Sequence, residues 1–480
     1  MTLSANILKS DQIPLVVDLD GTLVDTDLLY ELLIGYVKSD PIKGTFSISK
    51  FALKGKAAVK REISTKQLSK ISIDNLPRSL IISEEMIASY SMILIVSGSD
   101  QLVVDKFVEQ CEFVDEGFGS DGLTNLVGEN KAKFLEEKFP GGFDYIGNST
   151  ADIPVWKSAR KSFGMNISNR TEDIAQNQGV SLEILGKQPF IVPAIRKEMR
   201  LKQWAKNLLV FVPALLAIQT FQPVWALSLL LSFLAFGLVA SSTYFLNDIL
   251  DLESDRKHVK KRSRPIASGR LQIDTALKWM IIFFIIGFGL AIGVNWKFAI
   301  LLFVYTLISI AYSMYLKSLA IFDVMLLSGL FCLRVFAGAI VIGAIPNVWF
   351  ILALYFFFLS LALGKRAIEI NKLTSNKALA GRGYFIADKL SVQVFGVVAG
   401  FMSIVIVTIY LLLSKSTIIS NEISAGIVII ALVFWVMRFW LIVSRNEMEY
   451  DPVMFAIQDI FSLICLGSIG LIVVTEQLLG

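Results

Sequence analysis

The chain has 480 residues, 54% of them hydrophobic, with 45 Lys and Arg against 41 Asp and Glu and a formal net charge of +4. So small a sum says little by itself, no nucleic-acid partner is expected, and the length exceeds one usual domain. Three cysteines, Cys111, Cys332 and Cys465, lie far apart, which excludes a disulfide framework and a closely spaced cysteine metal site. Residues 1 to about 195 read as a soluble α/β sequence; from about 207 onward, long apolar runs dominate. Ile13 to Val17 is too short for a secretory signal and runs into acidic residues, so the N-terminal part is expected in the cytosol.

Ile13 to Val17 reads as a buried strand, short and β-branched, running straight into Asp18-Leu19-Asp20-Gly21-Thr22. Two aspartates at the carboxyl end of such a strand point into the crevice where α/β sheets bind ligands. Further strands are expected to end at Met92 to Val96, before Ser97-Gly98-Ser99, and at Phe143 to Ile146, before Gly147-Asn148-Ser149-Thr150-Ala151-Asp152. Between them Gly128-Glu129-Asn130-Lys131 opens a helical segment. Residues 28 to 90 are helical in pattern, as in Leu28 to Val37 and Lys66 to Ile71, and about 163 to 188, rich in Asn, Gln, Ser and Gly, reads as a linker.

These four motifs in order resemble the haloacid dehalogenase superfamily of phosphatases over about residues 10 to 165. The resemblance implies a Rossmann-like α/β domain with a small helical cap at 28–90. It also implies Asp18 as nucleophile forming an aspartyl-phosphate, Asp20 as general acid/base, Ser97 holding the phosphoryl group and Lys131 offsetting its charge. Mg²⁺ would sit on Asp18, Asp20 through its backbone, Asn148 and Asp152. Asn148 departs from the family pattern, which has aspartate there. An amide brings no charge, so metal affinity should fall, and a non-catalytic binding role for this domain stays open.

Beyond a linker at 166–195, apolar segments of spanning length are expected at about 207–222, 225–246, 275–294, 297–315, 320–343, 347–364, 391–413, 424–443 and 454–475. The first is short and interrupted by Pro213, so eight spans with a re-entrant piece is the alternative. Lys and Arg crowd the gaps on one side, from Arg196 to Lys206, at Arg256 to Lys278, at Lys317 and from Lys365 to Lys389; Lys297 and Lys415 stand on the other. The positive-inside rule makes the crowded side cytosolic.

On that side, directly after an apolar run, lies Asn247-Asp248-Ile249-Leu250-Asp251-Leu252-Glu253-Ser254-Asp255. Read as a continuing helix, Asn247, Asp248, Asp251 and Asp255 fall within roughly a 100° arc. Carboxylates gathered so closely repel unless a cation sits among them, and Mg²⁺ with phosphate oxygens is the simplest answer. A solvated acidic helix end is the plain alternative, but the basic run through Arg262 and Arg264 suits the remainder of a polyanion. Other polar groups on this face are Lys202, Lys206 and Asn207 entering the first span, Tyr312 and Lys317 closing the fourth, and Lys365 and Arg366 after the sixth. Asp323 and Arg334 share a face within the fifth span; Arg334 reads as lining a cavity, and Asp323 as either functional or a partner.

Over residues 195 to 480 the chain resembles the UbiA-type intramembrane prenyltransferase superfamily, on Asn247 to Asp255 followed by Lys261-Arg262-Ser263-Arg264-Pro265. That resemblance implies an all-helical membrane bundle around a cavity, with Mg²⁺ joining the aspartates to a diphosphate. Where the family has a second acidic motif, this chain has Gly364-Lys365-Arg366-Ala367-Ile368-Glu369. One acidic and one basic site suit a metal-bound diphosphate and a metal-free anion, as in the decaprenyl-phosphate phosphoribosyltransferase branch. The donor expected is phosphoribosyl diphosphate and the acceptor a polyprenyl phosphate, with the phosphatase-like half removing the 5-phosphate of the product. An aromatic prenyltransferase is the alternative, and a polytopic transporter the different class, disfavoured because the charges gather at one face rather than at mid-membrane.

Overall fold

A computed structural model describes residues 13–40, 56–70, 73–78, 84–373, 379, 381–413, 419, 421–448 and 452–479. The chain divides into two compact units, residues 1–199 with 244–280, and residues 200–243 with 281–480.

The first unit is built on a parallel sheet of six strands, β1 (Leu15–Val17), β2 (Ile93–Asp100), β3 (Glu116–Ser120), β4 (Asp144–Gly147), β5 (Lys161–Gly164) and β6 (Glu183–Ile184), in the order β3-β2-β1-β4-β5-β6. The order reverses between β1 and β4, which opens a crevice at their carboxyl ends. β1 is central: Val17 lies beside Ile95 of β2 and Ile146 of β4, so Asp18, Ser97 and Asn148 emerge at one end of the sheet. Leu15, Val16 and Val17 are buried, each worth about 1.5–3 kcal/mol over an exposed position. The three expected strands are therefore present. The expected linker is not: about 163–188 carries the end of β5, the helix Asn169–Asn177 and β6, and β5 continues the sheet from β4. Phe163 and Leu185 pack into one buried cluster and Ile167, Ala175 and Val180 into another, and the polar residues Asn169, Arg170, Gln176 and Asn177 are exposed. Of the expected cap, the helices Leu28–Ser39, Lys56–Gln67 and Glu84–Ser89 are described; Ile71 lies outside the described residues.

Among the described residues eight helices are long and apolar enough to cross a membrane: Pro223–Leu250, Ile273–Val294, Trp296–Met314, Phe322–Val341, Val348–Asn371, Ile386–Leu411, Glu422–Ser444 and Ile460–Gln477. The expectation of nine is corrected at 207–222. There the chain forms a 3₁₀ stretch, Leu201–Phe211, a five-residue helix, Val212–Leu216, and another 3₁₀ turn. None of these pieces is a continuous α-helix of spanning length, so the segment is not among the eight. Pro213 stands in the first turn of that short helix. The backbone of this segment lies hard against Phe322–Val341, because a Cβ at Gly338 would fall 2.0 Å from the Val210 carbonyl oxygen. The last expected span is also interrupted, at Asp459, between Pro452–Gln458 and Ile460–Leu479.

Small residues let the second unit's helices close up, as membrane helices require. A Cβ at Gly396 would meet the Trp440 ring at 2.1 Å, and Trp440 in turn donates its indole N–H to Ser360 at 3.0 Å.

Candidate functional site

Four clusters contain nearly all the sequence-derived candidates. At the end of the sheet, Lys131 comes from the helix Glu129–Lys138 and is buried. Its Nζ donates to Asp18 Oδ1 at 2.7 Å and to the Tyr145 hydroxyl at 3.0 Å. Tyr145 donates to Asp152 Oδ1 at 2.7 Å. Asp152 Oδ2 accepts from the Asn148 and Ser149 amides and the Ser149 hydroxyl, at 3.1, 3.0 and 3.1 Å. Both oxygens of Asp152 are thus engaged, and it orients the loop that carries Asn148. Asp20 accepts from Ser97 and Ser99 hydroxyls at 3.1 and 2.7 Å and from the Leu28 amide at 2.9 Å.

Burial pushes the Asp18 carboxyl up to about 7, against the pull of Lys131 and with the help of the Asp152 charge. Burial alone would lower the Lys131 ammonium, yet Asp18 and Asp152 together hold it above its ordinary value. The Asn148 amide lies over Gly21, where a Cβ would meet its nitrogen at 2.0 Å, and Gly21 has a φ of +75°. Asp18, the Asn148 amide and the backbone of Asp20 fit a hard cation, though with less charge than a full acidic set.

In the second cluster the long helix Pro223–Leu250 carries Asn247 and Asp248 on its last turn, and a new helix, Leu252–Lys257, carries Asp255. The continuous helix expected here is corrected to a break at Asp251. Hydrogen bonds from Asp251 N to Asn247 O at 2.8 Å and from Asp255 N to Asp251 O at 2.9 Å nonetheless keep near-helical spacing. Asp248 Oδ1 and Asp255 Oδ2 both accept from one nitrogen of Arg264, Nη1, the first at 2.9 Å. Asp255 Oδ1 is buried without a hydrogen-bond partner, with Lys261 Nζ 3.7 Å away. Burial raises the Asp255 carboxyl, opposed by Arg264 and reinforced by Asp248. Arg262 is exposed and stands apart from this contact.

No three His, Cys, Asp or Glu side chains among the described residues are grouped as a ready metal cage. The donor set still fits a hard divalent cation. Two carboxylates meet at one positive point, and one of their oxygens is buried and unused.

The third cluster belongs to the second unit. Arg334 is buried, and its fork is spread three ways: Nε to Asn207 Oδ1 at 3.0 Å, Nη1 to the Leu330 carbonyl at 2.8 Å and Nη2 to the Tyr305 hydroxyl at 2.7 Å. Among the described residues the buried Asn207 Nδ2 has no hydrogen-bond partner, and Lys206 Nζ lies 5.8 Å from the Phe331 ring, which Arg334 also approaches. Lys202 is exposed.

Nearby in sequence, Asp323 does not share a partner with Arg334. It accepts from Arg366 Nε at 2.7 Å and from the Tyr384 hydroxyl at 2.6 Å. Arg366 also bonds Glu369 and, at 3.3 Å, Tyr312, whose hydroxyl accepts from Arg382 at 2.6 Å as well. Arg366 was expected to face an anion; its guanidinium is instead closed in by carboxylates, because burial requires a paired charge. Lys317 contributes its carbonyl to Arg382 at 3.3 Å, and Lys365 is half-buried on the same helix as Arg366. Tyr145, Ser99, Tyr305, Tyr384 and Arg382 were not singled out from sequence, since an isolated tyrosine, serine or arginine carries no pattern.

The UbiA prenyltransferase family profile matches residues 207–463. The uncharacterized protein y4nM of Sinorhizobium fredii is 32% identical over 462 residues, which is 93% of this chain and 88% of that one. This chain belongs to the UbiA prenyltransferase family. Nodulation protein NoeC of Azorhizobium caulinodans is 30% identical over 301 residues, covering 60% of this chain and 94% of its own. Decaprenyl-phosphate phosphoribosyltransferase of Mycolicibacterium smegmatis is 33% identical over 190 residues, covering 38% and 59%. As a UbiA-family protein with eight apolar helices of spanning length among the described residues, it is an integral membrane protein. The family match takes in the aspartate cluster, Arg334 and Arg366, whereas the Asp18 cluster precedes it.

Proposed function

We propose that the chain transfers a 5-phosphoribosyl group from phosphoribosyl diphosphate to a polyprenyl phosphate. The observation that carries this reading is the meeting of Asp248 and Asp255 at a single Arg264 nitrogen. In this reading Asp248, Asp251 and Asp255, with Asn247, hold Mg²⁺, which when bound neutralises the departing diphosphate. Arg264, with Arg262 and Lys261 beside it, turns from the carboxylates to the phosphate oxygens. An oxygen of the lipid phosphate forms its bond to C1 of the ribose as the bond from C1 to the diphosphate breaks, and diphosphate leaves with the electron pair. Charge separates at C1, so prearranged cations lower the barrier. Similarity to the mycobacterial-type phosphoribosyltransferase supports the donor over a prenyl diphosphate.

The buried Arg334, whose described partners are all neutral, suits the acceptor's phosphate. Lys202, Lys206, Lys317, Lys365 and Tyr312 complete a polar face that the positive-inside rule assigns to the cytosol.

The N-terminal sheet site reads as a haloacid dehalogenase-like phosphatase that removes the product's 5-phosphate. Asp18 attacks phosphorus, the bond to the ribose 5-oxygen breaks, and Asp20 gives that oxygen a proton; water then hydrolyses the aspartyl-phosphate. Lys131, already 2.7 Å from Asp18, offsets the charge. The test is reconstitution with Mg²⁺, phosphoribosyl diphosphate and a polyprenyl phosphate, with lipid products followed by mass. A phosphoribosyl or ribosyl lipid is expected. Turnover of a prenyl diphosphate with an aromatic acid, and none of phosphoribosyl diphosphate, overturns the reading.

A further inference from the structure

The break at Asp251 is held from the side by one helix. Lys38 donates to the Leu250 carbonyl at 3.1 Å, closing the end of the long helix one residue before Asp251. On the same face of Leu28–Ser39, two turns earlier, Glu31 takes both ends of the Arg256 guanidinium at 2.8 and 2.6 Å. Arg256 lies on Leu252–Lys257, next to Asp255. These contacts join positions 212 and 225 residues apart, all within the first compact unit.

The Glu31–Arg256 pair is nearly sealed, with side chains 10% and 6% exposed. Each partner is pinned further. Glu31 accepts from Thr26 Oγ1 at 2.6 Å, and Arg256 Nε donates to the Ala267 carbonyl at 3.1 Å, three residues beyond Arg264. The loop after Arg264 approaches the first sheet loop at backbone distance, since a Cβ at Gly269 (φ +77°) would fall 2.4 Å from Asp25 Cβ. Leu252–Lys257 has only six residues, too few to be stable alone. Beside the backbone bonds at Asp251 and the Arg264 bridge, what holds Arg256 constrains the helix's rotation about Asp251, and with it the place of Asp255 relative to Asp248.

We infer that Glu31, acting through Arg256, is a positioning residue for the Asp248–Asp255 site, so that the N-terminal part of the chain is a structural component of the transferase site in addition to its own chemistry at Asp18. The inference rests on the proposed reading of those aspartates as the diphosphate site. Neutralising Glu31 leaves a buried guanidinium unpaired; it turns out toward water and carries the short helix with it. Outer partners of this kind change metal-site affinity by about 10–100-fold when removed.

The test uses the full chain in lipid nanodiscs. Binding of inorganic pyrophosphate with Mg²⁺ is measured by calorimetry, and hydrogen exchange of residues 249–268 is followed without ligand. Glu31→Gln is expected to weaken pyrophosphate binding by about 10–100-fold, to raise KM for the donor more than it lowers kcat, and to speed exchange at 249–268. The exchanged pair Glu31→Arg with Arg256→Glu is expected to restore part of both, and Glu31→Asp, which keeps the charge, to fall between. Wild-type binding and wild-type exchange in Glu31→Gln overturn the inference. Should wild type itself bind no pyrophosphate, the donor-site reading fails, while faster exchange in Glu31→Gln still upholds the positioning contact and unchanged exchange still sinks it. If Glu31→Gln does not fold, Glu31→Asp decides on the same two measurements.

Discussion

Arg366 sits 2.7 Å from Asp323, and the two side chains are 1% and 0% exposed. The pair joins Phe322–Val341 to Val348–Asn371, and Tyr384 and Glu369 satisfy much of what remains. Asp323→Asn is expected to cost at most about 3–5 kcal/mol, because it removes the fully buried partner of Arg366 and leaves the more exposed Glu369 as its countercharge, whereas Asp323→Leu with Arg366→Met should cost less. Thermal unfolding in detergent reads the difference. A double variant as unstable as the single would mean the pair is not what holds these helices.

That pair also marks where sequence legibility ends. The strand-then-aspartate pattern at Val17-Asp18 was readable because a short β-branched run has one good place in a parallel sheet. The apolar helices were readable because the bilayer sets their length. Residues 163–188 were not, since strands of four and two residues around a mostly exposed helix have a loop's composition. Nor was the local closure of Arg366: a basic residue where the family expects acid looks like an anion ligand until its carboxylate partners, 43 and three residues away, are seen to surround it. Glu31 and Arg256 were equally hidden, because nothing in sequence pairs residues 225 positions apart.

Asp248 and Asp255 carry the next expectation. Asp248→Asn and Asp255→Asn should each reduce phosphoribosyl transfer by about 10²–10³-fold, the loss typical of one removed transition-state stabiliser. Chelation should abolish transfer and Mg²⁺ restore it. Arg264→Ala should leave metal binding in place and weaken the diphosphate. Calorimetry with Mg²⁺ and pyrophosphate separates the two classes of variant; an Asp255→Asn protein with full turnover would remove this residue from the site.

Asp18 supplies a dependence on pH. Burial raises its carboxyl from 3.8 to about 7. Between those values the folded chain keeps a proton that the unfolded chain has lost, so this group withdraws stability as pH rises through the window. In chelator, amide protection in β1, corrected for intrinsic exchange, should fall from about pH 4 to about pH 7, and Asp18→Asn should flatten that slope. The same variant should release lipid product that retains its 5-phosphate. Product identical to wild type would assign the phosphate removal elsewhere.

Arg334 gives the sharpest separation between acceptor and donor. Its three hydrogen bonds go to an amide, a carbonyl and a hydroxyl, so among the described residues the buried guanidinium keeps neutral company. The Asn207 Nδ2 beside it has no hydrogen-bond partner among the described residues. A lipid phosphate would answer both: it supplies the countercharge and accepts from the amide. Lysine's compact ammonium does not reproduce the planar, widely spaced donors of the guanidinium. Arg334→Lys should therefore raise the polyprenyl phosphate KM at saturating donor by about 10–100-fold, the value of one charge-assisted hydrogen bond at about 1.5–3 kcal/mol. Asn207→Leu should act in the same direction and more weakly. Binding of Mg²⁺ and pyrophosphate should be unchanged in both. If the two affinities fall together, Arg334 supports the bundle as a whole; if the acceptor KM does not move, the acceptor's phosphate binds elsewhere.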